Sequence, residues 1–201
     1  MADAGTRFLL QPAVTRVGPL ALVTIDNGED WTVPCSFGRD ALASLETLLP
    51  RLREKGWRGL VVTGKPLGFA AGADLKEVPR VSTPTLAREA ATAGQRAFAA
   101  LRDLPYPTLA AINGAALGGG LEIALHCDFR TAARSVRHLG FPEVSLGIVP
   151  GWGGTTLLPR LVGAEAADHE QHDHQRQQPE EGDALPQLHA REGLHDAAND
   201  T

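Results

Sequence analysis

Cysteine is scarce in this chain. Its 201 residues hold two, Cys35 and Cys127, far apart in sequence. Two such thiols make no disulfide framework, which excludes the small stapled secreted scaffolds and points to a reducing, cytoplasmic setting. Aromatic residues are only 5% of the chain, so a platform for stacking bases is lacking. Lysine and arginine (19) are outnumbered by aspartate and glutamate (24), for a formal net charge of −5. A chain with no basic field is not expected to bind nucleic acid. No apolar run reaches the ~20 residues of a membrane span, and the opening MADAGTRF lacks the charged-then-apolar pattern of a secretion signal. No membrane partner is expected. Internal repeats are absent, and no Gly-Lys-Ser/Thr closes a glycine loop, which removes a P-loop phosphate site.

What is present is an ordinary 43% of hydrophobic residues and 22 glycines, in a chain long enough for one domain with a real core. The hydrophobic pattern alternates between strand and helix signals. Two strands are expected over 8–17 and 20–25, with Gly18-Pro19 as the turn between them. A polar loop follows from Asp26 to about Gly38. Leu42, Leu45, Leu48, Leu49 and Leu52 then recur at helical spacing, which predicts a helix over 39–55 that Pro50 kinks or splits. A buried strand over 60–63 leads into a small-residue loop over 64–77. A long helix over 85–104 turns Leu86, Ala90, Ala97, Phe98 and Leu101 inward until Pro105 and Pro107 stop it. Strands over 108–112 and 128–133 enclose an all-apolar helix over 120–127. A last helix over 155–161 ends at Gly163. Strands alternating with helices give an α/β domain.

The chain is organised around 110–126. A strand there ends at Asn113-Gly114, three glycines follow (Gly118, Gly119, Gly120), and a helix opens with Leu121-Glu122. Free backbone N–H groups at such a helix start stabilise negative charge, on a phosphate or an oxyanion. Glycines let a ligand reach the backbone, and the Glu122 carboxyl sits beside that positive end. The loop over 64–77 is a second place where amides face a cleft, with Asp74 as its helix cap. Pro150-Gly-Trp-Gly-Gly154 is a third glycine turn. His126 lies one helical turn past Glu122 on the same face. Its simplest role is that of a satisfied core histidine, and Glu122, His126 and Cys127 do not have metal-site spacing. After Ala167 the character changes. The stretch 168–201 has five of the seven histidines, no aromatic residue and no apolar stripe. It is expected to be a disordered polar tail, His169, His172 and His174 included.

Three strings in order, FAAGADL over 69–75, NGAALGGGLE over 113–122, and FPE over 141–143 with PGWGGT over 150–155, resemble the crotonase, or enoyl-CoA hydratase/isomerase, family. The resemblance covers roughly 14–167. The strings HCDFRT over 126–131 and VPGWGGT over 149–155 are most similar to the hydratase half of multifunctional β-oxidation proteins, where a 3-hydroxyacyl-CoA dehydrogenase follows. No strand followed by Gly-x-Gly-x-x-Gly is found here, so no NAD site is expected.

The resemblance implies a spiral of ββα units (a domain over 1–167, incomplete at its C-terminus), an acyl-CoA or enoyl-CoA substrate, and neither metal nor cofactor. It implies an oxyanion hole from the N–H groups of Ala73 and Gly119, and Glu122 and Glu143 as the two acids of a hydratase. Gly151 matches the backbone position near the added oxygen, and the Ala71 carbonyl matches the contact to the adenine amino group. Gly72 and Gly118 flank the two corners, and Lys65 and Lys76 are candidates for the CoA phosphates. Family members trimerise or are fused to the dehydrogenase half. They also continue past Gly163 with more helices, where this chain has its polar stretch, so a truncation or a shifted reading frame is expected. The stretch 27–37 lacks the Leu-Asn-Ala-Leu wording common in the family. The activity implied is enoyl-CoA hydration, with enoyl-CoA isomerisation, or a remnant that only binds acyl-CoA, as the alternatives.

Overall fold

The computed structural model describes residues 5–167. The expected tail over 168–201, with His169, His172 and His174, lies outside the described residues.

The chain begins as a hairpin. Strands β1 (Arg7–Thr15) and β2 (Gly18–Asp26) pair antiparallel, with Thr15 opposite Gly18 and Val14 opposite Pro19. The turn is therefore Arg16-Val17, not Gly18-Pro19. The Thr15 hydroxyl donates to the Gly18 carbonyl at 2.7 Å and accepts the Val17 N–H, which closes the chain before the proline is reached. Helix α1 (Arg39–Leu52) buries Leu45, Leu48, Leu49 and Leu52 on one stripe. It stops short of the expected Lys55: the Arg53 N–H still reaches the Leu49 carbonyl, but the Glu54 N–H takes the Arg51 carbonyl in a tightened turn, and Gly56 with φ of 118° leads the chain away.

Three ββα turns follow, and their pairing makes the spiral. The first is β3 (Leu60–Gly64), β4 (Gly68–Ala70) and α2 (Pro84–Ala99). The second is β5 (Thr108–Ile112), β6 (Ala115–Leu117) and α3 (Gly119–Leu125). The third is β7 (Phe129–Ala132), β8 (Leu139–Gly140) and α4 (Gly154–Val162). The first strand of each turn joins a five-stranded sheet, β1-β2-β3-β5-β7, and the second joins a three-stranded sheet, β4-β6-β8. From β2 onward every pairing is parallel. Each turn thus repeats the one before it, displaced by one strand in both sheets.

The core lies between these layers, with Phe37, Phe69, Phe98, Phe141, Ile25 and Ile123 among its fully buried side chains. Helix α2 begins at a capped end, where the Thr83 hydroxyl accepts the Leu86 N–H. It ends at Ala99 rather than at Leu104, and only Gly94, Ala97 and Phe98 of it are buried. Ala90, expected inward, is exposed, so the first half of this helix stands clear of the core. Residues 142–146 form a 3-10 turn (Pro142–Leu146) that carries Glu143. Among the described residues no helix is long and apolar enough to cross a membrane.

Candidate active site

The second ββα turn delivers Glu122. Gly118 turns the chain out of β6 with φ of 51°, and all seven residues of α3 are buried. Glu122 is only 2% exposed. Its Oε1 accepts the Trp152 N–H at 2.7 Å and the Gly154 N–H at 2.8 Å. Burial pushes its pKa from 4.5 up to about 7, and the charge of Glu143 adds to the rise; the Gly154 and Trp152 amides oppose it. The Gly153 amide also favours the charged form of this carboxyl.

The third turn delivers Glu143. Its carboxyl is buried, its Oε2 has no hydrogen-bond partner among the described residues, and burial raises its pKa above the ordinary carboxylate range. Oε1 lies against the Cα of Gly118, so that a Cβ on that glycine would stand 2.4 Å from it. The two acids therefore approach the same corner from different elements.

That corner is shared with the first ββα turn. Gly72 has φ of 87°, and a Cβ there would come within 2.8 Å of the Leu117 carbonyl and 3.2 Å of the Gly119 nitrogen. Only glycine combines that backbone angle with that closeness. The chain at Gly72-Ala73 consequently touches the chain at 117–119. The Phe37 N–H donates to the Gly72 carbonyl at 2.7 Å and the Asp74 N–H to the Phe37 carbonyl, which leaves the Ala73 N–H out of the bridge. Neither the Ala73 nor the Gly119 N–H finds an acceptor among the described residues. Two spare donors on touching corners, with two acids alongside, form an arrangement suited to an anionic oxygen and to proton transfer next to it.

The remaining expected residues are less uniform. The Ala71 N–H is tied to the Cys35 carbonyl at 2.8 Å, and the Gly151 carbonyl accepts from Gln95 Nε2 at 2.7 Å. Lys76 is exposed next to the Asp74 turn, where its own N–H donates to Asp74 Oδ1. Lys65 is a correction. It is 4% exposed, and its ammonium group donates to Asn27 Oδ1, the Glu29 carbonyl (3.1 Å) and the Asp30 carbonyl (2.7 Å). Those acceptors occupy all three of its protons, so it ties down the 27–30 loop rather than facing a phosphate.

Trp152 is the participant that motif reading passed over. Its N–H holds Glu122, its ring packs edge-on to Phe98 with centroids 5.4 Å apart, and its Nε1 donates to the Ala90 carbonyl at 3.3 Å. The signal was the glycine-rich string around it, but a backbone donor has no residue type of its own. Cys127, next to His126, is buried, and that burial pushes its thiol up to about 12, away from the thiolate that a ligand or nucleophile uses. Among the described residues no group of three or more His, Cys, Asp or Glu side chains is placed to hold a metal ion.

Comparison with known proteins agrees with this architecture. The family described as Enoyl-CoA hydratase/isomerase matches residues 21–182. The chain is 47% identical over 122 residues to a fatty acid oxidation complex subunit alpha of Vibrio vulnificus, and 40% identical over 148 residues to that of Aliivibrio fischeri. Those stretches are 59% and 72% of this chain but only 17% and 21% of the relatives. Among solved structures, Pseudomonas aeruginosa DspI superposes with a TM-score of 0.72 at 38% identity, over 85% of this chain and 66% of that one. A Bacillus anthracis enoyl-CoA hydratase gives 0.70 at 34% identity, over 81% and 62%. The chain spans about a fifth of these curated relatives and under two thirds of the solved structures. It belongs to the enoyl-CoA hydratase/isomerase, or crotonase, family.

Proposed function

We propose that the chain is an enoyl-CoA hydratase, adding water across the 2,3 double bond of a trans-2-enoyl-CoA in fatty-acid β-oxidation. The observation that carries this reading is the pair of buried acids, Glu122 and Glu143, set against touching amide corners at Gly72-Ala73 and Gly118-Gly119. Addition of water at C3 sends the π electrons onto the thioester oxygen as an enolate. The Ala73 and Gly119 N–H groups are the donors for that oxygen, each contributing about 3–4 kcal/mol. One acid takes a proton from water as its oxygen bonds to C3, and the other gives a proton to C2 as the thioester carbonyl re-forms. We assign the water to Glu122, whose charged form is stabilised by the Trp152 and Gly154 amides, and the C2 proton to Glu143, whose unpartnered Oε2 suits a neutral carboxyl group. Both carboxyl groups are raised by burial and the charge of Glu143 acts on Glu122, so the two titrate as a coupled pair. The Ala71 carbonyl is assigned to the adenine amino group, Gly151 to the added oxygen and Lys76 to the CoA phosphates. Lys65 is left out of the substrate's contacts.

The test is hydration of crotonyl-CoA, with products separated by mass. The 3-hydroxyacyl thioester is expected from the wild type, and Glu122→Gln and Glu143→Gln should each lose about 100-fold or more in kcat. Undiminished turnover in both variants removes the reading. Product with a moved double bond and no added water assigns an isomerase instead. Micromolar thioester binding in calorimetry without turnover assigns a binding remnant.

A further inference from the structure

His126 caps the C-terminal end of α3 and is 6% exposed. Its Nε2 lies 2.9 Å from the Trp152 carbonyl oxygen. A carbonyl only accepts, so Nε2 carries the proton and Nδ1 is a bare lone pair. Nδ1 is buried with no partner among the described residues. That is the ring of a neutral imidazole, and burial, with the Arg102 charge, holds its pKa below the ordinary value. The ring also meets Phe98 edge-on at 6.1 Å, and Phe98 in turn meets Trp152.

The consequence lies in what Trp152 does next. Glu122 and His126, one turn apart on α3, grip both ends of the same residue. Glu122 Oε1 takes the Trp152 N–H and the Gly154 N–H, while His126 takes the Trp152 carbonyl. Gly153 between them has no side chain, and a Cβ there would come within 2.8 Å of His126 Nε2. The 151–154 turn is thus a clip, its amides on the acid and the Trp152 carbonyl on the imidazole.

We propose that His126 is a positioning residue for Glu122: by fixing the Trp152 carbonyl it keeps the Trp152 and Gly154 amides on Oε1, which sets the proton affinity of the acid. This rests on the reading that Glu122 is a proton-transfer group. The charged or titratable groups around the pair are Glu143, which faces Glu122 from the 3-10 turn, and Arg102, which acts on His126 from beyond α2. Neither replaces the bond to Trp152.

The test compares His126→Leu, which deletes the donor, with His126→Gln, whose amide nitrogen can reach the same carbonyl. Two readouts are taken on the full chain. In 13C NMR the Glu122 carboxyl midpoint, near 7 in the wild type, should move upward in His126→Leu, because the two amides favour the charged form and loosen with the turn. It should return in His126→Gln. In crotonyl-CoA hydration, His126→Leu should lose about tenfold or more in kcat with KM within about twofold, its acidic limb should move upward, and His126→Gln should recover most of the rate. An unmoved Glu122 midpoint in His126→Leu overturns the proposal, as does a glutamine variant no better than leucine. If the wild type hydrates nothing while the midpoint still responds to His126, the hydratase reading fails and the coupling stands.

Discussion

Replacing Glu122 by glutamine should stabilise the protein and silence it, and the stabilisation should grow with pH. In the unfolded chain this acid titrates near 4.5, and in the folded protein near 7. The folded state binds the proton more tightly, so the acid's contribution to stability is fully present below pH 4.5 and is lost as pH rises through 7. At 1.36 kcal/mol per pH unit that span amounts to about 3 kcal/mol. Glu143, raised by its own burial, acts in the same direction and is left in place. Glutamine has the same shape, its Oε1 still accepts from Trp152 and Gly154, and it cannot ionise. Wild type and variant should therefore lie within about 1 kcal/mol of each other at pH 5, where the wild-type acid is mostly neutral in the folded state. At pH 8.5 the variant should be ahead by a further 2–3 kcal/mol or so. With urea slopes of about 1–3 kcal/mol/M, that is a gap in midpoints that widens by about 1–2 M across the two pH values. Urea melts of both proteins at both pH values measure it. A gap that stays constant or narrows as pH rises means that Glu122 is not held protonated by burial, and the pairing of acids at the corner loses its physical basis.

Three further outcomes follow from the same geometry. The kcat/KM for hydration should fall below about pH 7 as the Glu122 carboxylate is protonated, which a pH–rate profile measures. Gly118→Ala should place a Cβ 2.4 Å from Glu143 Oε1 on a backbone with φ of 51°. It should lower stability by about 1–3 kcal/mol and lower kcat together with it, read by urea melts and turnover. Lys65→Met should strand the Glu29 carbonyl, take one of two donors from Asn27 Oδ1 and from the Asp30 carbonyl, and cost about 1–3 kcal/mol, with kcat at saturating substrate within about twofold. A raised KM for the thioester with unchanged stability would mean that Lys65 meets the CoA phosphates after all.

Much of the frame was legible in the sequence, for reasons that differ by element. Strand β5 matches its expected 108–112 limits because β-branched and small apolar residues stop at Asn113-Gly114, a sharp turn signal. The α1 stripe was legible because leucines at helical spacing have no other use. The short strands β4, β6 and β8 were not, since two or three residues carry no period. The far end of α2 was misread because Leu101 is buried, 1% exposed, without being helical. Burial and helix membership came apart there. At the site, the strings named the two acids that the fold buries side by side and the two glycine corners that touch, whereas the burial of Lys65 was hidden: a lysine beside a glycine loop has the same letter whether it faces a phosphate or three loop oxygens. The clip around Trp152 was hidden for a related reason, its bonds being made by backbone that every residue owns.

The three consecutive glycines show why a packing explanation and a chemical one need not compete. Each faces a different segment. A Cβ on Gly118 meets the Glu143 carboxyl, one on Gly119 meets the Trp152 ring at 2.5 Å, and one on Gly120 meets the Ala70 carbonyl oxygen at 2.2 Å. Gly120 is there for helix-on-strand packing, Gly119 for the clip and the spare N–H, and Gly118 for the acid. The obstacles also differ in how far they can yield. The Ala70 carbonyl is backbone in β4, which is paired to β6 and cannot retreat without moving the corner at Gly72. The Trp152 ring is a side chain, though it is wedged against Phe98 and Phe37. Gly120→Ala should consequently be the worst of the set, costing upwards of about 3 kcal/mol or failing to fold. Gly119→Ala should fold with a loss of about 1–3 kcal/mol and a displaced Trp152, seen as a change in its fluorescence and as a loss in kcat. Should Gly120→Ala fold as well as Gly119→Ala and melt at the same urea concentration, α3 does not sit hard on β4. The corner that brings the two free amides together would then have to be held by something else.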